Sequence, residues 1–197
     1  MSSFVGHAAV GVSLCLARNR LDAPQVRWAL PLLVLLAISP DLDYLALWIF
    51  HIQPHPRVTH SLLFCLGASL LAWVASAPAR RRSPQTLTPL AVVLASTSHL
   101  ALDLLVGVHP VPVWWPFTAV ELSSPFGLLP SAGHLSLSNR YLWRNLLIEC
   151  GVLWPVLALL VAWARGALAW RPAAAWKWLP VVAAWLAFLG WSLSLTR

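Results

Sequence analysis

The feature that most constrains this chain is a series of long apolar runs, five of them with roughly the 17–25 residues that a helix needs to cross a bilayer. A sixth run, at 4–17, is shorter and predicts a short span or a half-buried helix. The five long runs cover residues 28–50, 60–77, 89–108, 143–164 and 177–195. Only 10% of the residues are charged, against about 25% in a soluble domain, which excludes a disordered chain and an ordinary soluble enzyme. We therefore predict an all-α, polytopic membrane helical bundle of five or six membrane-embedded helices, forming one domain over residues 1–197.

Basic residues are unevenly shared among the loops between these runs. The first, third and fifth loops hold nine of the thirteen Lys and Arg residues, whereas the second (51–59) has only Arg57 and the fourth (109–142) only Arg140. By the positive-inside rule, the arginine-rich loops face the cytoplasm and the second and fourth loops face outward. Because the basic residues lie in short loops, the net charge of +7 reflects membrane topology, and nucleic acid is not an expected partner.

Four of the six acidic residues lie inside apolar runs, where a charge is costly. An ionisable side chain at membrane depth usually faces a cavity and marks a functional site. On the predicted topology these acids and His99 lie about 8–15 Å below the outer surface, at about 1.5 Å of rise per helical residue. His7, His55 and His60 lie nearer the same surface. The acidic residues in question are Asp41, Asp43, Asp103 and Glu149.

Two residue pairs have a spacing that suits ligation. His99 and Asp103 are four residues apart, so an imidazole and a carboxylate share one helical face. Asn145 and Glu149 repeat the spacing with an amide in place of the imidazole. A hydrogen-bonded contact between helices is the alternative interpretation of such residues.

Proline interrupts the 28–50 run beside the other two acids. Pro40 disrupts helical hydrogen bonding, so the carboxylates of Asp41 and Asp43 can turn toward a common point. Imidazole and carboxylate together suit zinc or a similar transition metal better than magnesium or calcium. The three cysteines are scattered singly with no C-x-x-C pattern, so neither a cysteine zinc site nor a disulfide framework is indicated.

Four motifs, in order, resemble the YdjM-type membrane-bound metal-dependent hydrolases of bacteria, and a Trp-Pro-Phe block at 115–117 follows them. The match spans roughly residues 4 to 117, and one departure is that Pro56 separates His55 from Arg57, where the family has Arg directly after the first His. The resemblance implies a multi-pass protein of the bacterial inner membrane. The motifs are Phe4-x-x-His7-x-x-x-Gly11, Ser39-Pro40-Asp41-Leu42-Asp43, His55-Pro56-Arg57-Val58-Thr59-His60-Ser61 and His99-Leu100-Ala101-Leu102-Asp103.

The family is in turn similar to zinc-dependent bacterial phospholipases C, which use helical His-x-x-x-Asp and His-x-x-x-Glu pairs around a zinc cluster. His99 and Asp103 fit the first pair, and His109 falls where another ligand is expected. Asn145 and Glu149 fit the second pair only with Asn in place of His.

Together these features predict a metal-dependent hydrolase that cleaves a phosphoester or other ester of a lipid or membrane-associated substrate, with its site toward the periplasm. Asp43 or Glu149 is expected to take the proton of a metal-activated water, and His55, Arg57 and Asn145 to bind substrate. A transporter or channel for protons or metal ions, and a membrane protein with a structural metal, are the alternatives. The expected ligands of one to three divalent ions, zinc being the first choice, are His7, Asp41, Asp43, His60, His99 and Asp103.

Overall fold

The computed structural model describes residues 3–52, 55–107, 109–124, 127–129, 136–167 and 178–195. Within those ranges the chain forms α-helices and two short 3-10 turns, with no β-strand. The turns are Ser39–Leu42 and Val58–His60. The helices are α1 (Phe4–Arg18), α2 (Val26–Ile38), α3 (Asp43–Phe50), α4 (Leu62–Ala75), α5 (Ala77–Arg82), α6 (Pro89–Val106), α7 (Arg140–Ala164) and α8 (Leu179–Ser194).

The all-α prediction is confirmed, and each apolar run contains at least one helix. The 28–50 run forms two helices, because Pro40 has no backbone N–H to continue the α-helical pattern. The chain leaves α2 at Ile38, passes through a 3-10 turn and enters α3 at Asp43. Both acids of this run therefore lie at a break between helices.

Among the described residues, two helices are long and apolar enough to cross a membrane, α6 with 18 residues and α7 with 25. Helices α1, α4 and α8 are apolar but shorter, so the predicted count of five or six spans is not confirmed. Large apolar side chains on the outside of α4 and α7 are exposed, including Leu71 and Trp163. An apolar exterior of this extent is typical of a surface that contacts lipid. Residues 168–177, which hold part of the fifth loop, lie outside the described residues.

Helix α6 lies at the centre of the bundle, in contact with α1, α2 and α4, while α7 packs against α1 and α8. The core between α1, α2 and α6 contains small side chains such as Cys15, Ala29 and Ala95, all fully buried. Small residues let helix backbones approach closely, and this packing is common between membrane helices.

Gly11 marks the closest approach of α1 to α2. A Cβ atom at this position would lie 2.7 Å from the carbonyl oxygen of Leu33 and 2.7 Å from Cα of Val34. Because both are backbone atoms, no side-chain rotation can relieve the clash. This contact explains the glycine of the first sequence motif, and it sets the position of His7 one turn earlier on α1.

We predict that Gly11→Ala destabilises the protein by about 1–3 kcal/mol, the usual cost of overpacking a close contact. The matched control is Gly67→Ala on α4, where an added Cβ has no atom within 4 Å. Since alanine is a better helix former, the control should be neutral or stabilising by up to about 1 kcal/mol. Thermal unfolding in detergent measures both, and equal melting temperatures would contradict the proposed close contact.

Candidate metal centre

Six ionisable side chains meet in one buried cluster. His7 comes from α1, and both acids beside Pro40 come from the break between α2 and α3. His60 ends the second 3-10 turn, and the remaining two residues lie one turn apart on α6. Each of the six is at most 7% exposed. The cluster consists of His7, Asp41, Asp43, His60, His99 and Asp103, the six side chains predicted to bind metal.

Two subsets of the cluster have a geometry that could hold a metal ion. In each subset, one nitrogen or oxygen atom per residue lies within 4.8 Å of the others. The Nε2 atoms of His60 and His99 are 3.3 Å apart, and the Oδ2 atom of Asp103 lies 3.4 and 3.6 Å from them. The subsets share His99 and are His7–Asp41–His99 and His60–His99–Asp103.

Several buried polar atoms of the cluster have no hydrogen-bond partner among the described residues. They are both ring nitrogens of His7 and the Oδ1 atom of Asp41. Leaving such a group unsatisfied costs about 1–3 kcal/mol, so unpartnered atoms are rare unless something else binds them. Nε2 of His7 lies 3.5 Å from Asp103 Oδ1, and Nε2 of His60 lies 3.5 Å from Asp41 Oδ1. These residues therefore fit a bound cation.

A hydrogen bond to the backbone fixes the orientation of the His99 ring. Its Nδ1 atom lies 2.8 Å from the carbonyl oxygen of Ala37. A carbonyl only accepts, so Nδ1 donates and Nε2 of the neutral ring turns its lone pair toward the cluster. The His7 ring stacks on the His99 ring with centroids 3.6 Å apart. A backbone carbonyl that holds an imidazole in this way is typical of metal-ligating histidines.

Asp43 lies at the edge of the cluster, between Arg57 and His60. The guanidinium of Arg57 donates from Nε to Oδ2 at 2.5 Å and from a terminal nitrogen to Oδ1 at 2.9 Å. Oδ2 is also 3.6 Å from Nδ1 of His60. Burial disfavours the charged guanidinium, but the hydrogen bond and the charge of Asp43 outweigh it, so the pKa of Arg57 lies above its ordinary value. Asp43 thus positions the guanidinium of Arg57, and its Oδ2 atom also faces the His60 ring.

When its three imidazoles are neutral, the charge of the cluster is unbalanced. Among the described residues, the three carboxylates then face one guanidinium, that of Arg57, which leaves two negative charges. Buried charge of one sign is strongly unfavourable unless a counter-charge is present. One divalent cation would balance it.

Glu149 lies apart from the cluster, at the N-terminus of α1. Both of its carboxylate oxygens accept from the backbone N–H of Ser3 at 3.0 Å. Ser3 caps α1, and its carbonyl accepts from the N–H of His7 at 3.1 Å. A carboxylate is favoured at a helix N-terminus by the helix dipole. Glu149 therefore joins α7 to the turn that carries His7, and its expected role in proton transfer stays a prediction.

The other candidate residues lie outside the cluster. Asn145 is half-buried, and its Oδ1 atom accepts from Arg144. His55 is exposed on the second loop, and His109 is exposed beyond the end of α6. Neither histidine belongs to the two subsets, and within the described residues neither subset includes a cysteine. The substrate-binding roles of His55 and Asn145 remain predictions.

Three contributors to the site were missed in the sequence. Tyr44 lies under the Arg57 guanidinium, whose carbon is 5.1 Å from the ring centroid. The position of Tyr44 directly after Asp43 in the sequence could have identified it as a neighbour of the site. The carbonyl of Ala37 and the backbone N–H of Ser3 carry no signal in the sequence, because every residue except proline has both groups.

The fold and the site together define a helical membrane protein with a buried His/Asp centre that could hold a metal ion. A family model described as YdjM inner membrane protein matches residues 1–194. The chain belongs to that family, and the resemblance seen over residues 4 to 117 is confirmed and extends over nearly the whole chain. No curated protein and no solved structure matches.

We predict that, after the protein is loaded with zinc, His99→Ala and Asp103→Asn each retain much less metal than wild type, since each variant lacks an atom of the cluster that could bind the ion. The matched control is His51→Asn, because His51 is exposed with φ of 54°, a conformation that asparagine tolerates. Elemental analysis after dialysis gives the metal content. Equal zinc in all four proteins, or none in any, would mean that the cluster is not a metal site.

We also predict that Glu149→Ala weakens zinc affinity about tenfold, the lower end of the range for lost outer contacts of a metal site. The reason is that α1 loses the anchor that holds the turn before His7. Zinc titration against a competing chelator measures the affinity. The control is Asp22→Ala, whose carboxylate is 75% exposed. An affinity equal to wild type would rule out this positioning role.

Proposed function

We propose that this protein is a metal-dependent hydrolase that cleaves an ester bond of a membrane lipid, most plausibly a phosphoester. The observation that carries the proposal is the buried cluster of imidazoles and carboxylates beside an arginine, in which both ring nitrogens of His7 and Oδ1 of Asp41 have no hydrogen-bond partner among the described residues. The side chain of Arg57 is 24% exposed, so it can meet a ligand that arrives from outside. A catalytic metal site needs this combination of inward-facing ligands and an open side.

In this proposal the ion is held by His7, Asp41, His60, His99 and Asp103. The chemistry that a divalent ion supplies at such a site is a water molecule activated as a nucleophile near neutral pH. Zinc fits best, because the donor set combines imidazole nitrogen with carboxylate oxygen. The two subsets share His99, whose Nε2 atom can bind one ion, so they describe alternative positions for an ion; the expected number of one to three ions stays a prediction.

Asp43 is the better placed of the two candidate proton acceptors. Its carboxylate lies beside the cluster, and two oxygens offer more acceptor positions than the two that Arg57 occupies. Glu149 is held at Ser3 instead. Arg57, kept in place by Asp43 and Tyr44, would bind a phosphate group and stabilise the negative charge that develops on it.

The proposed topology is a multi-pass protein of the inner membrane with the site toward the periplasm. The length of α4 supports it, since His60 precedes this helix and Arg80, Arg81 and Arg82 follow it. Fourteen helical residues separate them, a rise of about 21 Å. The cluster and the arginine-rich loop thus lie at opposite ends of a helix, and by the positive-inside rule the arginines face the cytoplasm.

The proposal predicts zinc-dependent release of labelled product from phospholipids in proteoliposomes. Asp43→Asn should lower kcat by about 10²–10⁴-fold, the usual contribution of a general base. Arg57→Ala should raise KM and lower kcat, since it removes a contact to phosphate in both the ground and transition states. Gly67→Ala is the control and should keep wild-type rates.

Two results would contradict the proposal. Full activity without metal, or in Asp103→Asn, would exclude metal-assisted hydrolysis at this cluster. Absence of hydrolysis together with proton or metal-ion flux across the liposome membrane would favour the transporter.

A further inference from the structure

A cavity of about 570 Å³ lies between the second and fourth loops. Its walls include the side chains of His55, Trp115, Thr118 and Glu121, together with prolines from both loops. Pro56 is one of these prolines, and the residue after it is Arg57. Adjacent Cα atoms are about 3.8 Å apart, so the cavity begins one residue from the arginine that faces the cluster.

Backbone hydrogen bonds hold the fourth loop in place around this cavity. Val111 and Leu122 form an antiparallel bridge, with N–H to carbonyl distances of 2.8 and 2.9 Å. The N–H of Leu62, at the start of α4, donates to the carbonyl of Val113 at 2.8 Å. The loop is thereby fastened to the turn that carries His60. These hydrogen bonds hold the backbone that forms one side of the cavity.

The charge in the cavity comes from Glu121. Four of the six acids of this chain are buried in the bundle, and a fifth, Asp22, pairs with Arg20 in the first loop. Glu121 is the sixth, and no Lys, Arg or His in the described parts of the chain lies within ion-pair distance of its carboxylate. In a chain that is otherwise basic and poor in acids, this carboxylate lines a cavity together with Trp115.

A cavity lined by both a glutamate and a tryptophan is suited to a cation. An ammonium group gains a charge-assisted hydrogen bond from the first and a cation–π contact from the second. Arg57, the next residue after Pro56, is suited to an anion. A molecule in which a short linker joins a phosphate to an ammonium group would suit both the cavity and Arg57.

We propose that this cavity binds the ammonium end of a zwitterionic phospholipid headgroup while Arg57 and the metal centre take its phosphate. The inference rests on the proposed function and narrows it, because it assigns the substrate to lipids with an amine-bearing headgroup. Glu121 and Trp115 then determine the headgroup specificity, and His55 and Thr118 complete the walls.

The test compares phosphatidylethanolamine with phosphatidylglycerol carrying the same acyl chains, because the two differ in the charge of the headgroup terminus. Native mass spectrometry of the full-length protein in mixed micelles gives the retained ratio of the two lipids without turnover. Proteoliposome assays give the ratio of kcat/KM. The variants are Glu121→Gln and Trp115→Leu, with Asp22→Asn as the control.

We expect wild type to prefer phosphatidylethanolamine in both measurements, and Glu121→Gln and Trp115→Leu to reduce that preference roughly five- to tenfold, as a lost cation contact predicts. The control should keep the wild-type ratio. A preference in binding that is lost in Glu121→Gln, without hydrolysis of either lipid, would support the headgroup site and contradict the proposed hydrolase. Hydrolysis without preference, or a preference unchanged in Glu121→Gln, would overturn the headgroup site and leave the hydrolase standing.

Discussion

The structure depends on how carboxylates can be buried inside an apolar helical bundle. An isolated ionised carboxylate is very unfavourable in a medium of low dielectric constant, and several together repel one another. Asp41, Asp43 and Asp103 are nevertheless nearly fully buried in one place, with a single guanidinium beside them. A cation held by these groups would offset their repulsion and link α1, α6 and the break after α2. On this account, metal binding and folding are coupled.

Several features of the backbone position the side chains of the cluster. Pro40 ends α2 so that two acids leave the regular helix, and Gly11 lets α1 approach α2 closely enough to bring His7 over His99. The carbonyl of Ala37 fixes the orientation of His99, and the N-terminus of α1 is anchored by a residue of α7. Each of these features fixes the position of a side chain expected to bind the ion without binding the ion itself. Metal sites are held in a productive geometry by contacts of this kind.

Much of the fold follows from the sequence, because apolar runs and proline placement determine where helices form and end. Three of the four acids in those runs belong to the cluster, and their position at membrane depth indicated a functional site. The sequence did not reveal which ionisable side chains contact one another. Spacing shows that His99 and Asp103 share a face, but the pairing of Asp43 with Arg57 and the distance of Glu149 from the cluster depend on tertiary packing. The number of spans also does not follow from the lengths of the apolar runs, because short helices such as α1 and α4 can be membrane-embedded without the full spanning length.

The central claim, a metal held by imidazole and carboxylate groups of this cluster, is tested most directly by X-ray absorption at the zinc edge on protein purified without added chelator. The account predicts zinc coordinated by nitrogen and oxygen at about 2.0–2.1 Å, with imidazole scattering and no sulfur. That imidazole signal should fall in His99→Ala. Sulfur at about 2.3 Å, or a spectrum of zinc surrounded only by water, would contradict it.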